Sequence, residues 1–336
     1  MKRRALKPWH GIVFFILIMA AFFFICVPMQ AYWEMYGLAA TELLILVMAL
    51  IFTKVMGYPL KVLFPVKKPE FLPILGTCII WGSTYLLDMV IMLIQYRLFP
   101  IQMEQLNSGL NEVMFSVPVF VTILVVSIMP AICEEAVHRG VIIHTLYSVR
   151  KEWLIVLIMG IYFGLFHSDP LRFLPTGILG AAISYIMLET ENMVYPSFFH
   201  CINNLFPILL QVFLYGSLQN SIMQEAQQVG EQMIRNNTGI QIPLVSIGIY
   251  MIFAAASPFG LYLGNYLLHH KKGMKRTFIP RRNGWKTILG ILLPTVLLFG
   301  TGMMIIIYGI LFDPVMKHML QNSINQFSVG SFIFVR

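Results

Sequence analysis

Three short motifs hold most of the residues able to do chemistry. The first is Glu134-Glu135-Ala136-Val137-His138-Arg139, two adjacent carboxylates that directly follow the apolar run VFVTILVVSIMPAIC. The second is Phe163-Gly164-Leu165-Phe166-His167, and the third is His200-Cys201-Ile202-Asn203-Asn204. An ionisable group at membrane depth costs about 3 kcal/mol or more on insertion scales, so each needs a reason to be there. A poorly hydrated carboxylate holds a proton strongly, as a general base working near neutral pH must. On a helix, Glu135 and Arg139 are four residues apart and can pair, while Glu134 and His138 share a face about 100° away. Glu135 then has its counter-ion, and Glu134 is left freer to act. Phe163 and His167 stand one turn apart on one face, and so do His200 and Asn204.

Taken singly, each feature has a plain structural reading. A lone intramembrane histidine can be a hydrogen-bonded packing residue, and a Glu–Arg pair one turn apart can be a structural ion pair at a helix end. Glu42 and Asp88 read as interfacial acids near the outer ends of spans, and His138 and His144 as residues facing the cytoplasmic side without a role. The four cysteines, all in apolar stretches and without a CxxC pair, read as buried small hydrophobes. What packing does not explain is a Glu pair, a His and a His-x-x-x-Asn on three successive apolar segments.

The elements that must position these residues follow from composition. Of 336 residues, 58% are hydrophobic and 11% charged, with mean hydropathy +0.77. Soluble domains carry roughly a quarter charged residues. A soluble enzyme, a disordered chain and a nucleic-acid binder are therefore excluded, despite the net charge of +8. The fold class is an all-α polytopic membrane protein with eight to nine transmembrane helices. Nine apolar stretches lie near 11–31, 38–57, 72–95, 114–136, 153–168, 171–189, 194–215, 243–268 and 287–311. Three regions follow: N-terminal transmembrane helices over 1–112, a core carrying the motifs over 113–210, and a polar loop with further transmembrane helices over 211–336.

Loop charge sets the expected orientation. Lys2, Arg3, Arg4 and Lys7, then Lys61, Lys67 and Lys68, then Arg150-Lys151, then seven basic residues from Lys271 to Lys286 mark one side. The N-terminus is expected in the cytoplasm. Glu134 and His167 lie about sixteen residues on either side of the Arg150-Lys151 turn. At 1.5 Å per residue, both stand ~24 Å from it and are level in an antiparallel pair. His200 lies only about nine residues beyond the polar patch Glu189-Thr190-Glu191-Asn192. Bringing it level calls for a tilted or broken sixth span.

At these residues the sequence resembles the CAAX-protease and bacteriocin-processing family (CPBP, or Abi) of intramembrane proteases. Its members include the type II CAAX prenyl endopeptidase, or Ras-converting enzyme. The family's ordered motifs EExxxR, FxxxH and HxxxN read here Glu134-Glu135-xxx-Arg139, Phe163-xxx-His167 and His200-xxx-Asn204. The resemblance covers about residues 113–210. It implies a hydrolase cleaving peptide bonds in the membrane, with Glu134 and His167 activating a water and His200 and Asn204 stabilising the oxyanion. Glu135, Arg139 and Phe163 take supporting roles. The implied partners are the lipid bilayer and a membrane-embedded or membrane-associated peptide or protein, and the implied location is a bacterial cell membrane. The family is often labelled metalloprotease, and Glu134, His167 and His200 are the set that could hold zinc. No HExxH occurs, so no cofactor is favoured and zinc is the alternative. Buried Glu and His residues also serve proton-coupled transporters, but no inverted repeat is visible. A non-catalytic immunity or scaffold role is the remaining reading.

Overall fold

The computed structural model describes residues 6–217, 241–269, 277–280, 282–317 and 321. All regular structure in these residues is helical. The helices are α1 (Pro8–Val55), α2 (Phe71–Leu98), α3 (Pro100–Phe115), α4 (Val119–Thr145), α5 (Glu152–Phe166), α6 (Pro170–Thr190), α7 (Val194–Ser217), α8 (Leu244–Leu268) and α9 (Gly284–Phe312). Six of them, α1, α2, α4, α6, α8 and α9, are long and apolar enough to cross a membrane, and α5 is a shorter apolar helix. The protein is a polytopic membrane protein, as its hydropathy requires. The polar loop after Ser217, from 218 to 240, and most of the basic segment, 270–276 and 281, lie outside the described residues.

α1 accounts for two of the expected spans. Drawn straight, its 48 residues would measure ~72 Å. Instead Phe14 and Phe52 meet with ring centroids 4.7 Å apart, so the helix folds back on itself. The reversal sits at Glu34, whose φ of 49° and ψ of −119° are non-helical. Gly37 makes the fold-back possible, since a Cβ there would lie 2.3 Å from the Met29 carbonyl. Gln30 Nε2 donates to Thr41 Oγ1 across the bend at 2.9 Å.

The structure differs from the sequence reading at two other places. The fourth span begins at Val119 rather than near 114, because Pro118 disfavours helical backbone at the residue before it. A separate helix, α3, fills the stretch ahead of it. The sixth span is not broken: α6 runs through Pro175 from Pro170 to Thr190. Gly180 is eleven residues before the turn at Glu191 and His200 is nine after it. The two are therefore level within ~3 Å on an ideal rise.

Proline and glycine explain how the helices pack. Pro175 has no N–H, which frees the Leu171 carbonyl one turn back, and Gln95 Nε2 of α2 donates to that carbonyl at 2.7 Å. Small residues let backbones approach where lipid supplies no hydrophobic drive between helices. A Cβ on Gly160 of α5 would come within 2.7 Å of the Gly177 carbonyl of α6. Gly76 and Gly264 join α2 to α8 in the same way, and Gly248 and Gly302 join α8 to α9. At one end of the bundle, Asp313 accepts from Arg97 Nη2 at 3.0 Å and from the Leu244 N–H at 2.8 Å. This fastens α2, α8 and the end of α9 together.

The main apolar core is formed by α1, α4 and α5, including Phe14, Ile18, Ile45, Val141, Met159 and Phe166. A second cluster lies between α2, α6, α7 and α8, around Ile80, Ile183, Ile186 and Phe199. Between the two clusters run the polar residues of the three motifs.

The α5–α6 contact gives a direct test. Gly160→Val should lower stability by about 1–3 kcal/mol, the cost of overpacking a close contact. Gly300→Ala, where an added methyl meets nothing within 4 Å, should leave it unchanged or raise it. Thermal unfolding of the two variants in detergent measures both.

Candidate functional site

The site is built on α4, and the local sequence sets its shape. Wide π-type turns at Ile123–Ile128 and Ala136–Ile142 flank the helical stretch Met129–Glu135, a feature frequent at functional sites. Pro130 cannot donate to the Val126 carbonyl. Asn204 Nδ2 of α7 takes that carbonyl at 3.0 Å, and Ser127 Oγ donates to the Cys201 carbonyl at 2.9 Å. Two hydrogen bonds thus hold the third motif beside the first.

Glu135 and Arg139 are both wholly buried and form an ion pair at 2.9 Å. Arg139 also reaches α6, where Nη2 donates to the Gly180 carbonyl at 2.7 Å and Nε to Ser184 Oγ at 3.2 Å. Its guanidinium lies 4.7 Å from the centre of the Phe163 ring of α5. Gly180 is what admits Phe163, because a Cβ there would stand 2.4 Å from Phe163 Cβ. One arginine therefore bridges three helices, which only its forked, planar head can do.

His200 completes the group. Its Nδ1 lies 2.8 Å from Glu135 Oε1. The carboxylate can only accept, so Nδ1 carries the proton. Nε2 then faces Glu134 Oε2 at 4.0 Å. His167 Nδ1 lies 2.9 Å from the Phe163 carbonyl, another pure acceptor, so Nδ1–H donates and Nε2 is left with its lone pair. The Phe163 ring has His167 at 4.9 Å and His200 at 5.7 Å, centre to centre. Phe163 is thus the apolar wall on which both histidines rest. Glu134 Oε2 and Glu135 Oε2 are buried and make no hydrogen bond to the protein.

The expected residues are therefore gathered as follows. Glu134, Glu135, Arg139, Phe163 and His200 form one contiguous group. His167 joins it through Phe163, and Asn204 joins it through α4. No three His, Cys, Asp or Glu side chains among the described residues are grouped closely enough to hold a metal ion. Glu134, His167 and His200 as arranged do not form such a group.

Several placements correct the sequence reading. His138 does not face the cytoplasmic side. It is wholly buried, lies 2.9 Å from the Glu134 carbonyl through Nδ1, and packs its ring 5.0 Å from those of Phe163 and Phe166. The wide turn after Glu135 and the inward-facing α5 surface bring this about. Glu42 and Asp88 are not interfacial either. They are 3% and 4% exposed, because α1 and α2 each turn these positions inward. Arg172, one turn into α6, acts electrostatically on Glu134. Nothing in its local sequence separates it from a loop-end charge. Ser184 and Gly180 are equally ordinary in sequence, and only the length of the Arg139 side chain could have pointed to partners across the bundle.

Breaking the buried pair gives the prediction for this region. Arg139→Ala strands Glu135 and should cost about 3–5 kcal/mol. Arg139→Lys should recover only part, since an ammonium cannot reach Glu135, Gly180 and Ser184 together. Thermal denaturation in detergent compares the three proteins.

The comparisons with known proteins fall on this region. The family described as type II CAAX prenyl endopeptidase Rce1-like matches residues 116–206, which take in α4, α5, α6, the first half of α7 and all three motifs. A protein of Bacillus subtilis (strain 168), named "Putative membrane peptidase YdiL", is 28% identical over 137 residues, 40% of this chain and 54% of that protein. The chain thus spans about half the length of that relative. No solved structure matches.

Proposed function

We propose that this chain, whose residues 116–206 belong to the Rce1-like CAAX-protease family, is an intramembrane endopeptidase that hydrolyses its substrate with a glutamate-activated water. The observation that carries the reading is Glu134, a buried carboxylate whose Oε2 has no protein hydrogen bond and faces His200 Nε2 at 4.0 Å. Its neighbour Glu135 is committed to Arg139 and His200 and is not free for chemistry.

In this reading Glu134 takes the proton of a water that attacks the substrate carbonyl carbon. His167, with Nδ1–H held by the Phe163 carbonyl, offers Nε2 to the same water and orients it. The second N–H of Asn204 faces the oxygen on which negative charge develops, and His200 Nε2 joins it as a donor when it too carries a proton, its Nδ1–H being held by Glu135. Preplaced donors of this kind contribute about 3 kcal/mol each, because they need no reorganisation at the moment of reaction. The C–N bond then breaks, and the amine leaves with the proton first taken by Glu134. Arg139 and Phe163 touch no reacting atom in this scheme. They fix the positions of Glu135, His167 and His200.

The substrate class that fits is a peptide segment of a membrane-embedded or membrane-associated protein. In a bacterial cell membrane, with the N-terminus in the cytoplasm, this corresponds to peptide or bacteriocin processing, or to self-immunity.

Two outcomes test the reading. Glu134→Gln and His167→Ala should abolish cleavage while leaving expression and thermal stability near those of the unaltered protein. Quantitative comparison of membrane peptides should then find products present only with the active protein, and identical peptide sets would end the proposal. Asn204→Ala should retain cleavage slowed by about 10²–10³, measured on the first product so identified.

A further inference from the structure

Two residues that the hydrolytic scheme leaves unused are tied to Asn204 by hydrogen bonds. Asn203 is its neighbour on α7, and Trp81 stands on α2, outside the segment 116–206. Trp81 Nε1 donates to Asn203 Oδ1 at 3.3 Å. Asn203 Nδ2 donates to Asn204 Oδ1 at 3.3 Å. Asn204 Nδ2 donates in turn to the Val126 carbonyl of α4 at 3.0 Å. One line of hydrogen bonds thus crosses from α2 through α7 to α4. The indole that starts it is held by its neighbours. The Trp81 ring lies 5.6 Å from that of Tyr85 and 5.4 Å from that of Phe206, centre to centre, and the last two are 5.3 Å apart.

The two ends of the line fix its direction. An indole N–H can only donate, and a backbone carbonyl can only accept. Asn203 must therefore turn its oxygen to Trp81 and its NH2 group to Asn204. Asn204 must turn its oxygen to Asn203 and its NH2 group to Val126. Reversing Asn203 would set N–H against N–H at Trp81 and oxygen against oxygen at Asn204. Reversing Asn204 would set oxygen against oxygen at Val126. Hydrogen bonds in such a chain also polarise one another. Donation from Asn203 to Asn204 Oδ1 draws electron density from the Asn204 nitrogen and makes its N–H groups better donors. One of those two N–H groups is taken by Val126, and the second is spare.

We propose that Trp81 and Asn203 are positioning residues for the oxyanion donor, forming with Asn204 a relay that holds its amide in one orientation and keeps its second N–H ready for the substrate oxygen. Neither residue touches a reacting atom, and both act through Asn204. The role of the relay in hydrolysis rests on the hydrolase reading, whereas its existence does not. It also gives α2, which carries none of the three motifs, a share in the reaction.

The tests use the full-length protein in detergent. With tryptophan labelled at the indole nitrogen, nuclear magnetic resonance reports the five indole N–H groups, and the signal missing in Trp81→Phe is that of Trp81. In Asn203→Leu, which is close to the amide in size but cannot accept, this signal should move upfield and exchange with deuterium about tenfold faster. An unchanged position and exchange rate would overturn the relay, whatever the protein cleaves. Kinetics then test what the relay does. Trp81→Phe keeps an aromatic ring beside Tyr85 and Phe206 and removes only the donor. It should lower kcat about three- to tenfold, with KM and thermal stability near those of the unaltered protein. It also stands alone as a kinetic test if Asn203→Leu does not fold. In Asn204→Ala there is no amide left to orient, so adding Trp81→Phe should slow cleavage no further. Full kcat in Trp81→Phe, or the same loss with and without Asn204, would overturn the positioning role, because a merely structural residue acts in both backgrounds. The hydrolase reading fails separately, if Glu134→Gln leaves the membrane peptides unchanged, and the indole signal still decides whether the relay exists.

Discussion

The structure around the site depends on one buried ion pair. Glu135 and Arg139 have no solvent exposure, and neither could be carried to this depth alone without a cost of several kcal/mol. Placed four residues apart on α4, they arrive already paired. The spare capacity of each then organises what lies around it. The second and third donors of Arg139 hold α6 at Gly180 and Ser184, and its flat face lies on Phe163 of α5. Glu135 holds His200 of α7. Four helices are thus fixed relative to one another by a single pair. A hydrophobic contact of similar size, being non-directional, would not set their rotation.

Helix breakers serve the same end. A proline in a transmembrane helix frees a carbonyl that must find a donor, since no water is available to supply one. Pro130 frees Val126 for Asn204, and Pro175 frees Leu171 for Gln95. In each case a local defect becomes a contact to another helix. At Pro130 the contact fixes a motif residue against the helix that carries the two glutamates. The π-type turns on either side of Met129–Glu135 belong to the same pattern, in which irregular backbone is concentrated where side chains must converge.

Glycine sets the distances. Phe163 can stand between Arg139 and the two histidines only because Gly180 has no side chain. The aromatic residue of the second motif and a glycine outside every motif are therefore one device. Its effect is to keep His167 and His200 at ring separations of 4.9 and 5.7 Å from the same wall.

Much of this was legible in the residues themselves. Scarcity of charge showed a polytopic membrane protein, and helical spacing showed which of the two glutamates would have a counter-ion. Counting from the Arg150-Lys151 turn put Glu134 level with His167, in keeping with the contacts of His138 and Arg139 to Phe163. These are properties of a single helix or of one tight turn, and the periodicity of the chain determines them. Other features depend on how distant helices face one another. The reversal at Glu34, the inward turn of Glu42, the burial of His138 and the reach of Arg172 toward Glu134 are of this kind. Each depends on the rotation of a helix about its axis and on which partner it meets. In a chain where almost every face is apolar, hydropathy carries little information about rotation. Only close packing between helices, led by glycine contacts and by the buried Glu135–Arg139 pair, decides it.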